Sequence, residues 1–395
     1  MEMFYTSLKP ILFQGNSRKY QISDFELSNS VESIIDHFNG KDKACVVVYG
    51  EAGSGRTTLL SKVCDTLLER NLKQSEICGL RVRAGCSVQS LWNFLSGISK
   101  DRQDKDTASL LLQSSAKLSK KYLAAQAFIS SNFKLVCIDD VYSDGGSVWS
   151  HLSQLLPQIK AHVIVVSTKK EAPLIQSTVT EHTVLSVELK GIGMDSFKQS
   201  LSNKLSDWML SDDELLRICT MLNGNPTSLK ILINAIYEFK LPPESFDCGL
   251  LSYSEPLNKE EYSSVLMVLQ FVFQHLTVWE KQVLGQLCQL REPLPLRTVS
   301  EEIGKLVRLG LVDKEAISEV TRTNKGIYSI SVPCCIQLSS LQLIDTSDNN
   351  GLMIRPEAHL HFSVFDLWYG LLSEKLHQLV SDAQGNAWPF VPEKW

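Results

Sequence analysis

The apolar positions of this chain change their spacing along its length. Val31, Ile34, Ile35 and Phe38 recur at intervals of three and four, which puts them on one face of a helix. Directly after them, Ala44-Cys45-Val46-Val47-Val48-Tyr49 is a continuous apolar run rich in β-branched residues, bounded by Asp42 and Gly50. Such a run reads as a strand covered on both faces, as in a parallel sheet. Similar runs lie at Gly79–Arg83, Lys134–Ile138, His162–Val166 and Val184–Leu189, and helical periodicity fills Ser90–Ser130. Strands alternating with helices predict an α/β fold with a five-stranded parallel sheet and helices on both faces.

Beyond about residue 192 the strand runs stop. Met194–Asn234 reads as several helices, with Ser211-Asp212-Asp213-Glu214 a helix start. Leu241-Pro242-Pro243-Glu244 is a break, and Tyr262–Leu290 is helical again. Leu294-Pro295-Leu296 leads into a helix ending near Leu309-Gly310, and Leu311–Val332 reads as two short strands around a polar turn. Helices followed by a small hairpin predict a winged-helix domain. The expected division is 1–192 for the α/β domain, 193–255 for a helical domain, 256–345 for the winged helix and 346–395 for a C-terminal helical segment. No internal repeat or low-complexity tract is visible.

Composition narrows the class. The 395 residues suit two or three domains at about 150 residues each. Lys and Arg number 39 against 44 Asp and Glu, a net charge of -5, which argues against a chain that coats nucleic acid or an anionic membrane. No apolar run reaches the roughly 18 residues of a membrane span. Met1-Glu2-Met3-Phe4-Tyr5 has no basic start leading into an apolar stretch, so no secretory signal is expected. The ten cysteines form no C-x-x-C pair, and the adjacent Cys334-Cys335 suit neither a bridge nor a zinc site. Buried thiols in a reducing compartment follow, hence a cytoplasmic location. The eight histidines make no ligand cluster, since His359 and His361 are spaced two apart, wrong for one helix face.

The chemistry concentrates after the first strand. Gly50-Glu51-Ala52-Gly53-Ser54-Gly55-Arg56-Thr57 fits G-x-x-x-x-G-[K/R]-[S/T], between an apolar strand and the helical stretch that begins at Thr58. Glycines let the backbone curl so that its N–H groups face phosphates, and the helix start adds a positive dipole end. Thr57 is placed to ligate Mg²⁺. Position 56 departs from the pattern: arginine is a bulky planar fork where lysine is a compact charge. Ile138-Asp139-Asp140 ends the third strand, where open sheets place ligand contacts. Asp139 is expected to hold Mg²⁺ through water and Asp140 to polarise an attacking water. Val166-Ser167-Thr168-Lys169 ends the fourth strand and can sense a γ-phosphate or merely face solvent. Asn223-Gly224-Asn225-Pro226 is a turn between helices, with Pro226 suited to the first turn of the second.

Taken together, these segments resemble the NB-ARC ATPases of the signal-transduction (STAND) class, from about residue 20 to 240. Gly50–Thr57 is similar to that family's phosphate loop and Leu135–Val141 to its strand ending in Asp-Asp-Val. Val165–Lys169 is similar to its sensor, with Lys169 for arginine, and Gly224-Asn225-Pro226-Thr227-Ser228-Leu229 to its Gly-Leu-Pro-Leu motif. The Gly-Asn-Pro form and Ile354-Arg355-Pro356-Glu357 are similar to the cell-death branch of the family. The resemblance implies a P-loop nucleotide-binding fold with Gly50, Glu51, Ala52, Gly53, Ser54, Gly55, Arg56, Thr57, Thr58, Lys169 and Pro226 around ATP or ADP. It places Phe25 and Leu27 at the adenine, though plain core residues fit those positions equally. No histidine stands in Tyr328-Ser329-Ile330-Ser331-Val332-Pro333 where the family often contacts ADP, and the stretch before residue 20 is too short for its recruitment domain.

These readings converge on a nucleotide switch with slow or absent turnover. The resemblance implies apoptosis regulation through a homo-oligomer, or a hetero-oligomer with a related full-length ATPase, and apoptosis regulators as partners. Two rivals stand beside it. One is an initiator-type AAA+ ATPase binding DNA by its winged helix, against which Thr298–Lys305 is not basic. The other is a nucleotide-free scaffold.

Overall fold

Each apolar run becomes a strand because both of its faces have something to bury. The computed structural model describes residues 24–51, 53–81, 88–141, 147–169, 171–204, 211–241, 263–289, 294–309, 334–339, 341, 343–346 and 359–362. They fall into two units, 1–196 and 197–395.

The first unit holds the sheet. Its strands are β1 (Ala44–Gly50), β2 (Ile77–Arg81), β3 (Leu135–Val141), β4 (His162–Ser167) and β5 (Thr183–Leu189), in the order β2-β3-β4-β1-β5. Every pairing is parallel. Successive residues of a strand point to opposite faces, and β1 uses both. Ala44, Val46 and Val48 pack with α1 (Asp24–Phe38) and α2 (Arg56–Glu69), through Ile34, Ile35, Leu59, Leu60 and Val63. Cys45 and Val47 turn the other way, toward α3 (Val88–Asp101), α4 (Lys105–Leu112), α5 (Leu118–Asn132), α6 (Ser147–Leu155) and α7 (Ala172–Thr178). The fully buried valines of β1 explain why its sequence is continuously apolar rather than alternating. β2 starts two residues before its expected first residue, and the 90–130 stretch divides into three helices.

Connectivity sets the functional edge. The chain leaves β1 for the far edge at β2, returns through β3 and β4, then passes β1 to reach β5. Connections leaving in opposite directions open a crevice at the carboxyl ends of the strands.

The seven cysteines whose burial is described are free and buried, as expected. Cys64 and Cys137 touch at 3.6 Å between α2 and β3, and neither is bridged. Burial pushes the Cys45 and Cys78 thiols up to about 12, so they are unreactive at neutral pH.

The second unit is mainly helical where described. α8 (Met194–Lys204) spans the division, followed by α9 (Asp212–Leu222), α10 (Pro226–Phe239), α11 (Ser263–His275), α12 (Val278–Gln289) and α13 (Leu296–Arg308). Ser211 and Glu214 cap α9 reciprocally, as expected of that segment. A three-stranded antiparallel sheet orders β6 (Leu294–Pro295), β8 (His359–Phe362) and β7 (Ile344–Thr346). The hairpin expected within Leu311–Val332 lies outside the described residues. β8 lies inside the 346–395 span expected to be helical, so the sheet crosses the expected boundary at 345. Strands of three and four residues are decided by their partners, and such short runs carry no legible period. Among the described residues, no helix is long and apolar enough to cross a membrane.

Candidate functional site

The glycine loop is built by close approach and by backbone sign. A Cβ on Gly50 would lie 2.4 Å from the Leu189 carbonyl oxygen and 2.9 Å from Ser54 Oγ, so β5 leaves room only for glycine. Gly53 at φ 79° and Gly55 at φ 96° occupy the left-handed region that other residues avoid. The Ser54 amide donates to the Glu51 carbonyl at 3.1 Å, closing the turn. Helix α2 then begins at Arg56, with the Leu59 amide donating to Gly55 at 2.9 Å. Its N-cap is a glycine, with no side chain to cap the first turn. A helix start of this kind directs N–H groups and dipole at an anion. Ser54 Oγ is buried in the same loop and has no hydrogen-bond partner. A buried hydroxyl left unsatisfied suits a ligand oxygen.

The acidic strand end meets this loop. Thr57 Oγ1 donates to both oxygens of Asp139, each at 3.2 Å. Asp139 is 1% exposed. The pairing of β3 with β4 is regular up to Ile138 and resumes, shifted, at Val141. Asp139 and Asp140 therefore sit at a bulge, a device that re-aims side chains at site rims. The backbone of Asp140 belongs to β3, while its side chain lies outside what is described.

Arg56 does not stand where a lysine would reach outward. It is 4% exposed, and its Nη1 donates to the backbone carbonyl of Ser167, the last residue of β4. Two residues on, Lys169 Nζ pairs with Glu188 of β5 at 2.9 Å. The Glu188 hydrogen bond holds the Lys169 ammonium above the usual lysine range, with Tyr49 and Glu51 adding smaller fields. The same bond holds Glu188 below the usual carboxylate range.

The loop, Thr57, Asp139, Arg56 and Lys169 are thus gathered at the carboxyl ends of β1, β3 and β4. Thr58 lies in the first turn of α2 and is exposed, and Ala52 lies outside the described residues. Leu27 packs against the apolar cluster of α1 and α2. Phe25 is in α1, with its side chain outside what is described. Pro226 belongs to the second unit, buried at the first position of α10. Asn225 caps that helix, accepting from the Thr227 and Ser228 amides at 3.1 Å each. Asn223 and Gly224 before it are left-handed, with φ of 50° and 67°.

Sequence reasoning missed two partners. Ser167 as the acceptor of Arg56 leaves no sequence signal, because the contact spans 111 residues through a backbone oxygen. Glu188 had one: it is the single charged residue of the β5 run.

Comparison with known proteins adds the following. Residues 27–191 match the family model of the NB-ARC domain. A search of curated proteins returns no match. Among solved structures, the chain is similar to a STAND protein with a tetratricopeptide repeat sensor from Pyrococcus horikoshii, at 16% identity and TM-score 0.47, over 91% of this chain. This chain spans 44% of that structure's length. It is similar to the Aeropyrum pernix ORC2 protein at 13% identity and TM-score 0.36, over 94% of this chain and 96% of that one. Domain III of the replication initiation protein DnaA from Thermotoga maritima matches at 15% identity and TM-score 0.33, over 64% and 93%.

Proposed function

From the match of residues 27–191 to the NB-ARC domain model, we propose that this chain is a nucleotide-dependent switch whose phosphate site is the Gly50–Thr57 loop. The observation that carries the reading is Thr57 donating to Asp139 at the foot of the glycine loop, at 3.2 Å. Hydroxyl and carboxylate are the oxygen donors that a hard divalent cation takes beside phosphates. The buried, unpartnered Ser54 hydroxyl fits a phosphate oxygen in the same loop. Thr57 and Asp139 would hold Mg²⁺, which when bound neutralises charge spread over the phosphates. The backbone of Gly50, Glu51, Ala52, Gly53, Ser54 and Gly55 wraps ATP or ADP, with Thr58 in the first turn behind it. Asp140 orients an attacking water if turnover occurs. Lys169 serves as the sensor at the end of β4. By family resemblance, Phe25 and Leu27 are assigned to the adenine and Pro226 to the nucleotide.

The nucleotide state biases a closed form against an assembling one. The Gly-Asn-Pro turn and the Ile354–Glu357 segment support a role in regulating cell death, in the cytoplasm, with a homo-oligomer or a related ATPase as partner. Residues 256–345 are proposed as a winged-helix domain, a reading supported by α12, α13 and the short strands β6 and β7 that fall largely within that span.

The test is to denature purified protein and measure released nucleotide by chromatography, beside Thr57→Ala. Bound ADP or ATP in the wild type and its loss in Thr57→Ala is the expected result. Wild type and variant both empty, with no thermal stabilisation by added Mg²⁺-ATP, would overturn the reading. Mass measurement with and without nucleotide then tests assembly, and one invariant monomer would overturn that part.

A further inference from the structure

We propose that Arg56 makes this site select a nucleoside diphosphate over the corresponding triphosphate. This rests on the nucleotide-binding reading above and concerns the loop position that departs from the usual lysine. A lysine there is a mobile point charge able to follow a terminal phosphate. Arg56 is buried, and its guanidinium is fastened to the Ser167 carbonyl at the end of β4. Drawing a buried, hydrogen-bonded guanidinium off its acceptor strands that carbonyl and moves the charge, so the contact resists being traded for a ligand oxygen.

The surroundings point the same way. A third phosphate adds negative charge, which needs a nearby cation in a site of reduced dielectric. The cation next along the strand end, Lys169, is already paired with Glu188 at 2.9 Å. Asp139 is buried beside Thr57, and Glu51 lies in the loop close enough to act on Lys169. The first two phosphates are served by loop amides and the α2 helix start, which do not depend on side chain 56. Beyond the charge that Mg²⁺ at Thr57 and Asp139 would neutralise, the third meets Glu51 and two cations that already have partners. Arg56 also joins α2 to β4, so the strand bearing the sensor is held to the phosphate helix before any nucleotide arrives.

The experiment titrates the full chain in Mg²⁺ buffer with ADP and with the non-hydrolysable β,γ-imido analogue of ATP. Wild type, Arg56→Lys and Glu188→Gln are compared, after thermal unfolding without nucleotide has shown which variants fold. Wild type is expected to bind ADP at least about tenfold more tightly than the analogue. Arg56→Lys brings that ratio to one or below. Glu188→Gln, which releases Lys169, lowers it part of the way and keeps the test alive if Arg56→Lys does not fold. Equal affinities in the wild type, tighter binding of the analogue, or a ratio unchanged in every folded variant overturns the proposal. A wild type that binds neither nucleotide beside an Arg56→Lys protein that binds both also overturns it, because arginine then blocks the loop instead of selecting. Neither nucleotide binding to any folded protein is a different failure: the nucleotide-binding reading itself falls.

Discussion

Gly50 and Gly55 are both loop glycines, and they are needed for different reasons. Gly50 lies opposite Leu189 in the β1–β5 register, and a methyl group there runs into that backbone carbonyl. Gly55 has open space around its missing Cβ but sits at φ +96°. Gly50→Ala is expected to cost about 1–3 kcal/mol through overpacking against a backbone atom that cannot turn aside. Gly55→Ala is expected to cost about 1–2 kcal/mol from the left-handed backbone alone. Urea midpoints at unchanged slope give both values. A Gly50→Ala protein as stable as wild type would mean β5 does not press on the loop. At this scale the loop glycines, Thr57 and Asp139 were legible because their spacing within a strand–turn–helix is local information. The destination of Arg56 was not, since sequence records no partner for a side chain that ends on a distant carbonyl.

The turn before α10 shows how an element starts. Asn223 and Gly224 reverse the chain through left-handed backbone, Asn225 satisfies two amides of the first turn, and Pro226 fills the position whose N–H has no use. Asn225→Ala is expected to lower stability by about 1 kcal/mol. It also speeds hydrogen exchange at the Thr227 and Ser228 amides; unchanged exchange there would show that the cap is not Asn225. Legibility varied among elements for related reasons. β1, β3 and β4 were readable because burial on both faces leaves a continuous apolar run. Within 90–130 the break at α4 carries a cap, Asp104 accepting from the Thr107 amide at 3.0 Å. The start of α5 has Lys117 as N-cap with no side-chain bond, so nothing in the sequence marks it. β7 and β8 are pairing events between short segments, beyond the reach of any periodicity.

Across the sheet as a whole, the amino ends of the strands carry a different chemistry from the carboxyl ends. His162 opens β4 and stacks on Phe38 with ring centroids 4.7 Å apart, and buried His182 precedes β5. Burial lowers the His162 imidazole below its ordinary range, with His182, His37 and Lys41 adding to the effect. Burial and then Lys43 lower His182, while the Ala161 backbone and Glu181 oppose. In the unfolded chain both titrate near 6.5. As pH falls toward and below about 6.5 the unfolded state therefore takes up protons that the folded state refuses, and stability declines; above about 8 the pair adds no further slope. Thermal midpoints between pH 5 and 8 check this, and His182→Asn should flatten the acid side. A midpoint that rises on acidification through this window would sink it.

At the opposite end, β4 separates β1, which feeds the loop, from β3, which carries Asp139. Neighbouring strands lie about 4.8 Å apart, so the two chemistry-bearing strands stand roughly 10 Å from each other. The contact of Thr57 with Asp139 is consequently made over the end of a strand that belongs to neither. β4 acts as the gauge block of this site: its width sets the gap, and its last carbonyl clamps the helix that spans it. A ligand that pries Arg56 off Ser167 would loosen the clamp and leave the gap unchanged, so what the site can transmit is a release of α2 rather than a widening of the sheet.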